Sequence, residues 1–194
     1  MLRFIAILLM GLTGWRPKGE VPAGKRFVVI AAPHTSNWDL FYTMIFAYYY
    51  RLNLRFMGKH TLFKFPLGIL IRALGGIPIR RDRSENAVTA AARLFKEYDE
   101  LVLAVPAEGT RARADYWKSG FYHIARLAEV PIVLGFLDYG RKRGGFGAAI
   151  RPTDDVVSDM NQIREFYADI SGHYPEKFGP IRLREEEQPA VSNG

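Results

Sequence analysis

The fold is decided by the run Phe27-Val28-Val29-Ile30-Ala31-Ala32, which is followed directly by Pro33-His34-Thr35-Ser36-Asn37-Trp38-Asp39. The first six residues are apolar and rich in β-branched side chains, a pattern that predicts a short buried strand. Proline then ends the strand, and the Thr-Ser-Asn run contains residue types that begin helices. An apolar helix is predicted from residue 40 to residue 51. This order of buried strand, polar loop and helix is typical of an α/β fold.

The alternation of strands and helices continues through the rest of the chain. Further strands are predicted at residues 54–57, 77–79, 101–105, 131–137 and 146–150. Helices are predicted at residues 62–74 with a break near Pro66, at 84–98 with Ser84 as cap, from Ser119 to about residue 128, and around 160–170. The sequence therefore predicts one α/β domain, a central and largely parallel or mixed sheet flanked by helices.

The two ends of the chain differ in character from the body. Twelve residues separate Arg3 from Arg16, and all but two glycines and a threonine are apolar. As a helix they span about 18 Å, which is too short for a bilayer core of about 30 Å. Residues 1–18 are predicted to form an apolar interfacial helix with Trp15, Arg16 and Lys18 at headgroup level; a core-packing helix and a cleaved signal peptide are the alternatives. Residues 19–183 then form the α/β domain, and residues 184–194 a polar tail that is expected to fray.

Composition limits the class of partner. The chain has 194 residues and no cysteine, which excludes a disulfide scaffold, a cysteine nucleophile and cysteine-ligated metal sites. Its formal net charge is +7, so it attracts anions such as nucleic acid, anionic lipid, phosphorylated substrates or an acidic carrier protein. No zinc-ligand spacing, P-loop or G-x-G-x-x-G motif occurs in the sequence, and no metal or nucleotide cofactor is expected.

A candidate general base lies just after the first predicted strand. His34 is on the loop, and Asp39 enters the first turn of the next helix. Five residues across a turn allow the carboxylate to reach the imidazole, hold one tautomer and stabilise the imidazolium. The other ring nitrogen could then take a proton from a substrate hydroxyl. A structural His–Asp pair, or an aspartate that caps the helix, explains the same spacing equally well.

Two further clusters follow predicted strands and add glycine and arginine. They are residues 106–113, which include Glu108-Gly109-Thr110-Arg111, and residues 75–83, in which three of the last four positions are arginine, among them Arg80 and Arg81. Glycine permits a ligand to approach the backbone, and the planar guanidinium matches a phosphate. Taken alone, the arginine run at residues 75–83 is better explained as a solvated charged turn. Because ligands collect at the carboxyl ends of parallel strands, the three loops together predict a site for a phosphorylated hydroxyl compound and an electrophile.

These motifs resemble those of the glycerophospholipid acyltransferase family, the 1-acylglycerol-3-phosphate O-acyltransferases. Residues 34–39 match the family's H-x-x-x-x-D block, and residues 76–81 are similar to its second block. Residues 108–111 match its E-G-T-R block, and residues 130–133 resemble its Val-Pro-Ile-Val block. The four blocks occur in the family's order.

The chain departs from the family pattern at two positions. Ala107 replaces the proline that precedes Glu108 in the family, and Arg80 stands where an acidic residue is frequent. Both departures bear on the identity of the acceptor.

The resemblance implies a reaction and a role for each residue. His34 would be the general base that activates the acceptor hydroxyl against an acyl thioester, and Asp39 would orient it. No covalent acyl-enzyme is implied. The donor would be acyl-CoA or acyl-carrier protein, and the helix around residues 41–50 would line a path for the acyl chain unless it packs in the core. Acceptor and phosphate binding would fall to Arg80, Arg81, Glu108, Gly109, Thr110 and Arg111, with Lys59 and Lys118 as further candidates.

Function and location are predicted accordingly. The leading hypothesis is acyl transfer to a lysophospholipid, with 1-acylglycerol-3-phosphate as acceptor, by a peripheral or monotopic protein on the cytoplasmic face of a membrane. One alternative keeps the chemistry on another lipid acceptor, such as an ornithine lipid or a glycolipid. The other is a basic module without catalytic activity that binds anionic membrane or nucleic acid, although the leading hypothesis involves no nucleic acid.

Overall fold

The computed structural model describes residues 1–79 and 87–187. In chain order its helices and strands are α1 Leu2–Thr13, β1 Arg16–Lys18, β2 Arg26–Ala32, α2 Trp38–Tyr49, β3 Leu54–Lys59, α3 Leu67–Ala73, β4 Gly76–Ile79, α4 Ala87–Glu97, β5 Leu101–Val105, α5 Gly120–Ala128, β6 Ile132–Asp138, β7 Arg143–Ile150 and α6 Val156–Tyr167. Short 3₁₀ turns occur at His60–Phe63, Pro175–Lys177 and Arg184–Glu187.

The strands form one seven-stranded sheet in the order β1-β7-β6-β2-β5-β3-β4. Every pair is parallel except β6 with β7, which form a hairpin. Strand β4 is at one edge of the sheet. Proline has no N–H to donate, and an edge strand tolerates it because no strand lies on its outer side; Pro78 is in this strand. The predicted α/β domain with a largely parallel sheet and a short apolar N-terminal helix is confirmed.

The sheet buries both of its faces because successive side chains on a strand point in opposite directions. On β2, Val28 and Ile30 belong to the core shared with α4, α5 and α6, whereas Phe27 and Val29 belong to the core shared with α2. Helix α1 packs on α2 through a third cluster, which includes Met10. The central strands are therefore covered on both sides, and their loops emerge at the two ends.

The N-terminal segment differs from the prediction at Trp15. Helix α1 ends at Thr13, followed by Gly14 with a left-handed φ of 75°. Trp15 is only 5 % exposed and stacks on Tyr42 at 4.4 Å between ring centroids. The prediction that Trp15 lies at headgroup level is therefore wrong, because the ring fills the junction of α1, α2 and the sheet. Residues 16–18 form edge strand β1 beside β7 instead of extending the helix.

Three local expectations have outcomes that differ from one another. The segment 62–74 breaks as predicted near Pro66, into a 3₁₀ turn and α3. Ser84, the expected cap of α4, lies outside the described residues. Ser119 occupies the N-cap position of α5 but its side chain makes no capping bond.

The predicted frayed tail is wrong for residues 184–187. They form a 3₁₀ turn in which Glu186 accepts hydrogen bonds from the Leu183 backbone N–H at 2.6 Å and from Arg164 at 2.7 Å. Residues 188–194 lie outside the described residues. Among the helices of the described ranges, none is sufficiently long and apolar to cross a bilayer.

Candidate active site

Three neighbouring strands end at the same edge of the sheet, each next to a polar residue. His34 follows β2, Glu108 follows β5 and Tyr139 follows β6, and β2 lies between the other two strands. Ligands of parallel sheets collect at this edge because the loops after the strands converge there. The topology therefore brings together residues that are 74 to 100 positions apart in the chain.

The His34 imidazole is paired with the Asp39 carboxylate. Nδ1 of His34 lies 3.2 Å from Oδ2 of Asp39, and the two side chains are 24 % and 4 % exposed. Among the described residues, Nε2 of His34 has no hydrogen-bond partner. The buried carboxylate thus engages one ring nitrogen, and the other is available to a substrate.

Asp39 is held by two further donors. Its Oδ2 accepts the Ser36 backbone N–H at 2.8 Å, and its Oδ1 accepts the Tyr139 hydroxyl at 2.8 Å. Burial alone raises the pKa of Asp39, but hydrogen bonds from His34, Ser36 and Tyr139 outweigh it and hold the pKa below its usual value. Asp39 is therefore an ionised, oriented acceptor beneath the imidazole.

Glu108 links the His34 loop to the next strand. Its Oε1 accepts the His34 backbone N–H at 2.5 Å, which fixes the loop from the β5 side. Its Oε2 is buried and has no hydrogen-bond partner within the described part of the chain. Burial raises the pKa of Glu108 to about 7, against the lowering effect of the His34 N–H.

A cleft of about 370 Å³ opens beside Glu108. Gly109 turns the chain with a φ of 69°, and the Lys118 side chain lies directly against it. The Lys118 backbone N–H donates to the Ala107 carbonyl at 2.7 Å, so this lysine is held at the rim. The residues that line the cleft include Glu108, Gly109, Thr110, Trp117, Lys118, Arg184 and Glu185.

The predicted site residues are only partly brought together. His34, Asp39 and Glu108 are in contact, Gly109, Thr110 and Lys118 line the adjoining cleft, and Arg111 is exposed directly after Thr110. Lys59 ends β3, two strands from β2 or about 10 Å along the sheet, and it is exposed. Arg80 and Arg81 lie outside the described residues.

Sequence reasoning missed Tyr139 and Arg184. Tyr139 directly follows strand β6, so its position at the carboxyl end of that strand could be predicted from the sequence. Nothing in the sequence indicated its contact with Asp39. Its ring also packs edge-on against Trp15 at 4.9 Å and against His173 at 4.8 Å. Arg184 comes from the segment predicted to fray, and its guanidinium lies over the Tyr116 ring at 5.1 Å.

Comparison with known proteins identifies the family and a similar fold. Residues 16–133 match the family model described as Acyltransferase. Among solved structures, the chain is similar to the crystal structure of the 1-acyl-sn-glycerophosphate (LPA) acyltransferase PlsC from Thermotoga maritima, with a TM-score of 0.58 and 17% sequence identity. The similarity covers 85% of this chain and 74% of that one. No curated protein matches. Because the family match spans more than half of its residues, the chain belongs to the acyltransferase family.

Proposed function

We propose that this acyltransferase moves a fatty acyl group from an acyl thioester to the hydroxyl of a lysophospholipid, with 1-acylglycerol-3-phosphate as the acceptor. The observation that carries the proposal is the His34–Asp39 pair, in which a buried carboxylate orients the imidazole and leaves Nε2 available. Acyl-CoA or acyl-carrier protein would be the donor, and both are anions that suit a basic protein.

The pair supports a direct transfer. Nε2 of His34 removes the proton from the acceptor hydroxyl as its oxygen attacks the thioester carbonyl carbon. The tetrahedral intermediate then expels the thiolate, which takes the proton from the imidazolium, so the products are an ester and a free thiol. Asp39 stabilises the imidazolium between the two transfers. A positioned base of this kind contributes about 10²–10⁴-fold to the rate.

The cleft beside Glu108 suits the acceptor phosphate. Lys118 and Arg184 line it, and Arg111 is exposed at its margin. Cationic side chains form strong charge-assisted hydrogen bonds with phosphate. Arg80 and Arg81 are proposed as further phosphate ligands because residues 76–81 are similar to the second block of the family.

Apolar side chains for the acyl chain lie at the start of α2. Trp38 and Phe41 are exposed beside Asp39, and their rings pack edge to face at 5.8 Å. The middle of the helix, from Met44 to Ala47, is buried in the core. We therefore assign the acyl path to the exposed N-terminal turn of α2 and not to the whole aromatic helix.

The outer face of α1 supports association with a membrane. Its large apolar side chains are exposed, while Ala6 and Met10 face α2. A peripheral position at the cytoplasmic face, with α1 in the lipid interface, completes the proposal. The exposed residues are Leu2, Phe4, Ile5, Ile7, Leu8 and Leu12.

An acceptor screen with one labelled acyl thioester tests the function. We expect the labelled product to form fastest with 1-acylglycerol-3-phosphate. Faster transfer to an ornithine lipid or a glycolipid would instead support the alternative acceptors, and an absence of transfer to every lipid would support the non-catalytic module.

Arg111→Ala tests phosphate binding within the same screen. We expect the acceptor KM to rise about tenfold while the donor KM changes little, because one charge-assisted hydrogen bond is lost. Arg143→Ala, which removes an exposed arginine from strand β7, is the matched control. An equal rise of both KM values in Arg111→Ala would contradict a phosphate contact at this position.

A further inference from the structure

One segment of the chain has a net positive charge as large as that of the whole protein. Residues 51–81 contain seven Lys or Arg and no Asp or Glu, whereas the whole chain has a formal net charge of +7. The remainder of the sequence is therefore balanced. The segment therefore attracts anionic partners.

The same segment exposes an unusual number of large apolar side chains. Between Lys59 and β4 the chain forms the 3₁₀ turn His60–Phe63 and helix α3, which we call the 60–73 lobe. Phe65 is 85 % exposed and Ile69 is 66 % exposed. Five large apolar residues of this lobe are exposed, namely Leu62, Phe65, Leu67, Ile69 and Leu70.

The backbone that carries the exposed side chains is well packed. Phe63 points inward and is buried, with the Arg72 guanidinium over its ring at 5.1 Å. Gly68 is so close to the Phe63 backbone that a Cβ would lie 2.0 Å from the Phe63 carbonyl oxygen. Its N–H donates to the Lys64 carbonyl at 2.7 Å. Because the buried Phe63 ring already packs the interior of the lobe, the exposed apolar side chains are not needed to form its core.

The lobe lies where a lipid substrate would arrive. It begins at the carboxyl end of β3, the same edge of the sheet that carries His34 and Glu108. Leu74, which caps α3, packs against the core beneath α2. Helices α2 and α3 are therefore on one face of the sheet, as right-handed crossovers from β2 to β3 and from β3 to β4 require.

We propose that the 60–73 lobe is a docking surface for an anionic lipid bilayer, distinct from α1. Phe65, Ile69 and their apolar neighbours enter the interface between headgroups and acyl chains, and Lys59 and Lys64 contact the anionic headgroups. Interfacial segments combine these two features because apolar burial and headgroup attraction add. The proposal rests on the proposed function for its purpose, which is to bring the acceptor to the His34 edge of the sheet.

An acidic protein such as an acyl-carrier protein would also be drawn to the charge of this segment. The exposed apolar side chains favour lipid, because the most exposed one, Phe65, is at the turn between the 3₁₀ turn and α3, where it can insert without a complementary pocket. Among the described residues, no ion pair joins Lys59 or Lys64 to an acidic side chain, so both charges are available to headgroups.

The absence of cysteine from the chain permits a direct test. Phe65→Cys and the matched Leu127→Cys are each labelled with an environment-sensitive fluorophore; Leu127 is 56 % exposed on α5, on the opposite face of the sheet. With vesicles of phosphatidylcholine and phosphatidylglycerol, we expect a blue shift at position 65 and none at position 127. No shift at position 65, an equal shift with phosphatidylcholine alone, or a shift with acyl-carrier protein in place of vesicles would each overturn the proposal.

A second variant measures the contribution to binding. Phe65→Ser combined with Ile69→Ser should lower the affinity for the anionic vesicles about tenfold or more, whereas Leu127→Ser should leave it unchanged. Unchanged affinity in the double variant would overturn the proposal. Turnover of short-chain, water-soluble substrates is measured separately. Its absence in the unaltered protein would overturn the proposed function, and the vesicle measurements would still decide the role of the lobe.

Discussion

Two buried aspartates in this protein have nearly the same surroundings and different consequences. Asp39 accepts the Tyr139 hydroxyl at 2.8 Å, and Asp159 accepts the Tyr122 hydroxyl at 2.8 Å. Each carboxylate also accepts a backbone N–H, from Ser36 at 2.8 Å for Asp39 and from residue 153 at 2.7 Å for Asp159. In both cases hydrogen-bond donors offset the cost of removing a carboxyl group from water.

The difference is the third donor. For Asp159 it is the Thr153 hydroxyl at 3.1 Å, so every partner belongs to the packing of α6 against α5 and its preceding loop. For Asp39 it is the His34 imidazole, a side chain that can carry a proton and is partly exposed. A buried carboxylate is therefore not a functional site in itself, and the group that it orients decides its role.

The largest effect that the comparison predicts is the contrast between Asp39→Asn and Asp159→Asn. Asparagine cannot hold the same imidazole tautomer or stabilise the imidazolium, so Asp39→Asn should lower kcat about 10³-fold. Asp159→Asn should destabilise the fold by about 3 kcal/mol and leave kcat of the folded protein unchanged. Steady-state kinetics together with urea unfolding separate the two outcomes. Similar kcat losses in both variants would break the distinction.

The next effect comes from the two tyrosines. Tyr139→Phe keeps the ring contacts with Trp15 and His173 but removes one donor from Asp39, so we expect kcat to fall about tenfold with little change in KM. Tyr122→Phe should instead cost about 1–3 kcal/mol of stability with no loss of kcat. If Tyr139→Phe changed stability alone, Tyr139 would have the structural role of Tyr122.

A further contrast concerns Glu108, another buried carboxylate, whose second oxygen lacks a partner in the described ranges. Its pKa is raised to about 7 by burial, so the folded state retains a proton that the unfolded chain releases above about 4.5. Stability should therefore fall as pH rises from about 4.5 through 7, by about 3 kcal/mol in total.

Glu108→Gln isolates this contribution. Urea unfolding from pH 4 to pH 8 should show a decline in the unfolding free energy of the unaltered protein relative to that of Glu108→Gln. Parallel pH profiles for the two proteins would contradict a raised pKa of Glu108 in the folded state.

Sequence reasoning reached the contacts that are local in the chain. The His34–Asp39 pair spans a single turn after a strand, and its geometry follows from the spacing of the two residues. The order of strands and helices was predicted because buried strands are short apolar runs bounded by turn residues. These features need no knowledge of how distant segments pack.

The rest of the site depends on the three-dimensional arrangement. Tyr139 and Asp39 are 100 residues apart and meet only because β6 lies beside β2. Trp15 was predicted at the membrane from its residue type, yet Tyr42 and Tyr139, which come from other parts of the chain, enclose it. Strand β1 has three residues, too few for a periodicity to reveal it.

The most direct test of the central claim is the rate of thiol release from an acyl thioester in the presence of 1-acylglycerol-3-phosphate, compared between the unaltered protein and His34→Ala. His123→Ala, which removes an exposed imidazole paired with Glu185 at 3.6 Å, is the control. If His34 is the general base, release by His34→Ala should fall by at least about 10²-fold while His123→Ala stays near the unaltered rate. Equal rates in His34→Ala and the unaltered protein would contradict the account.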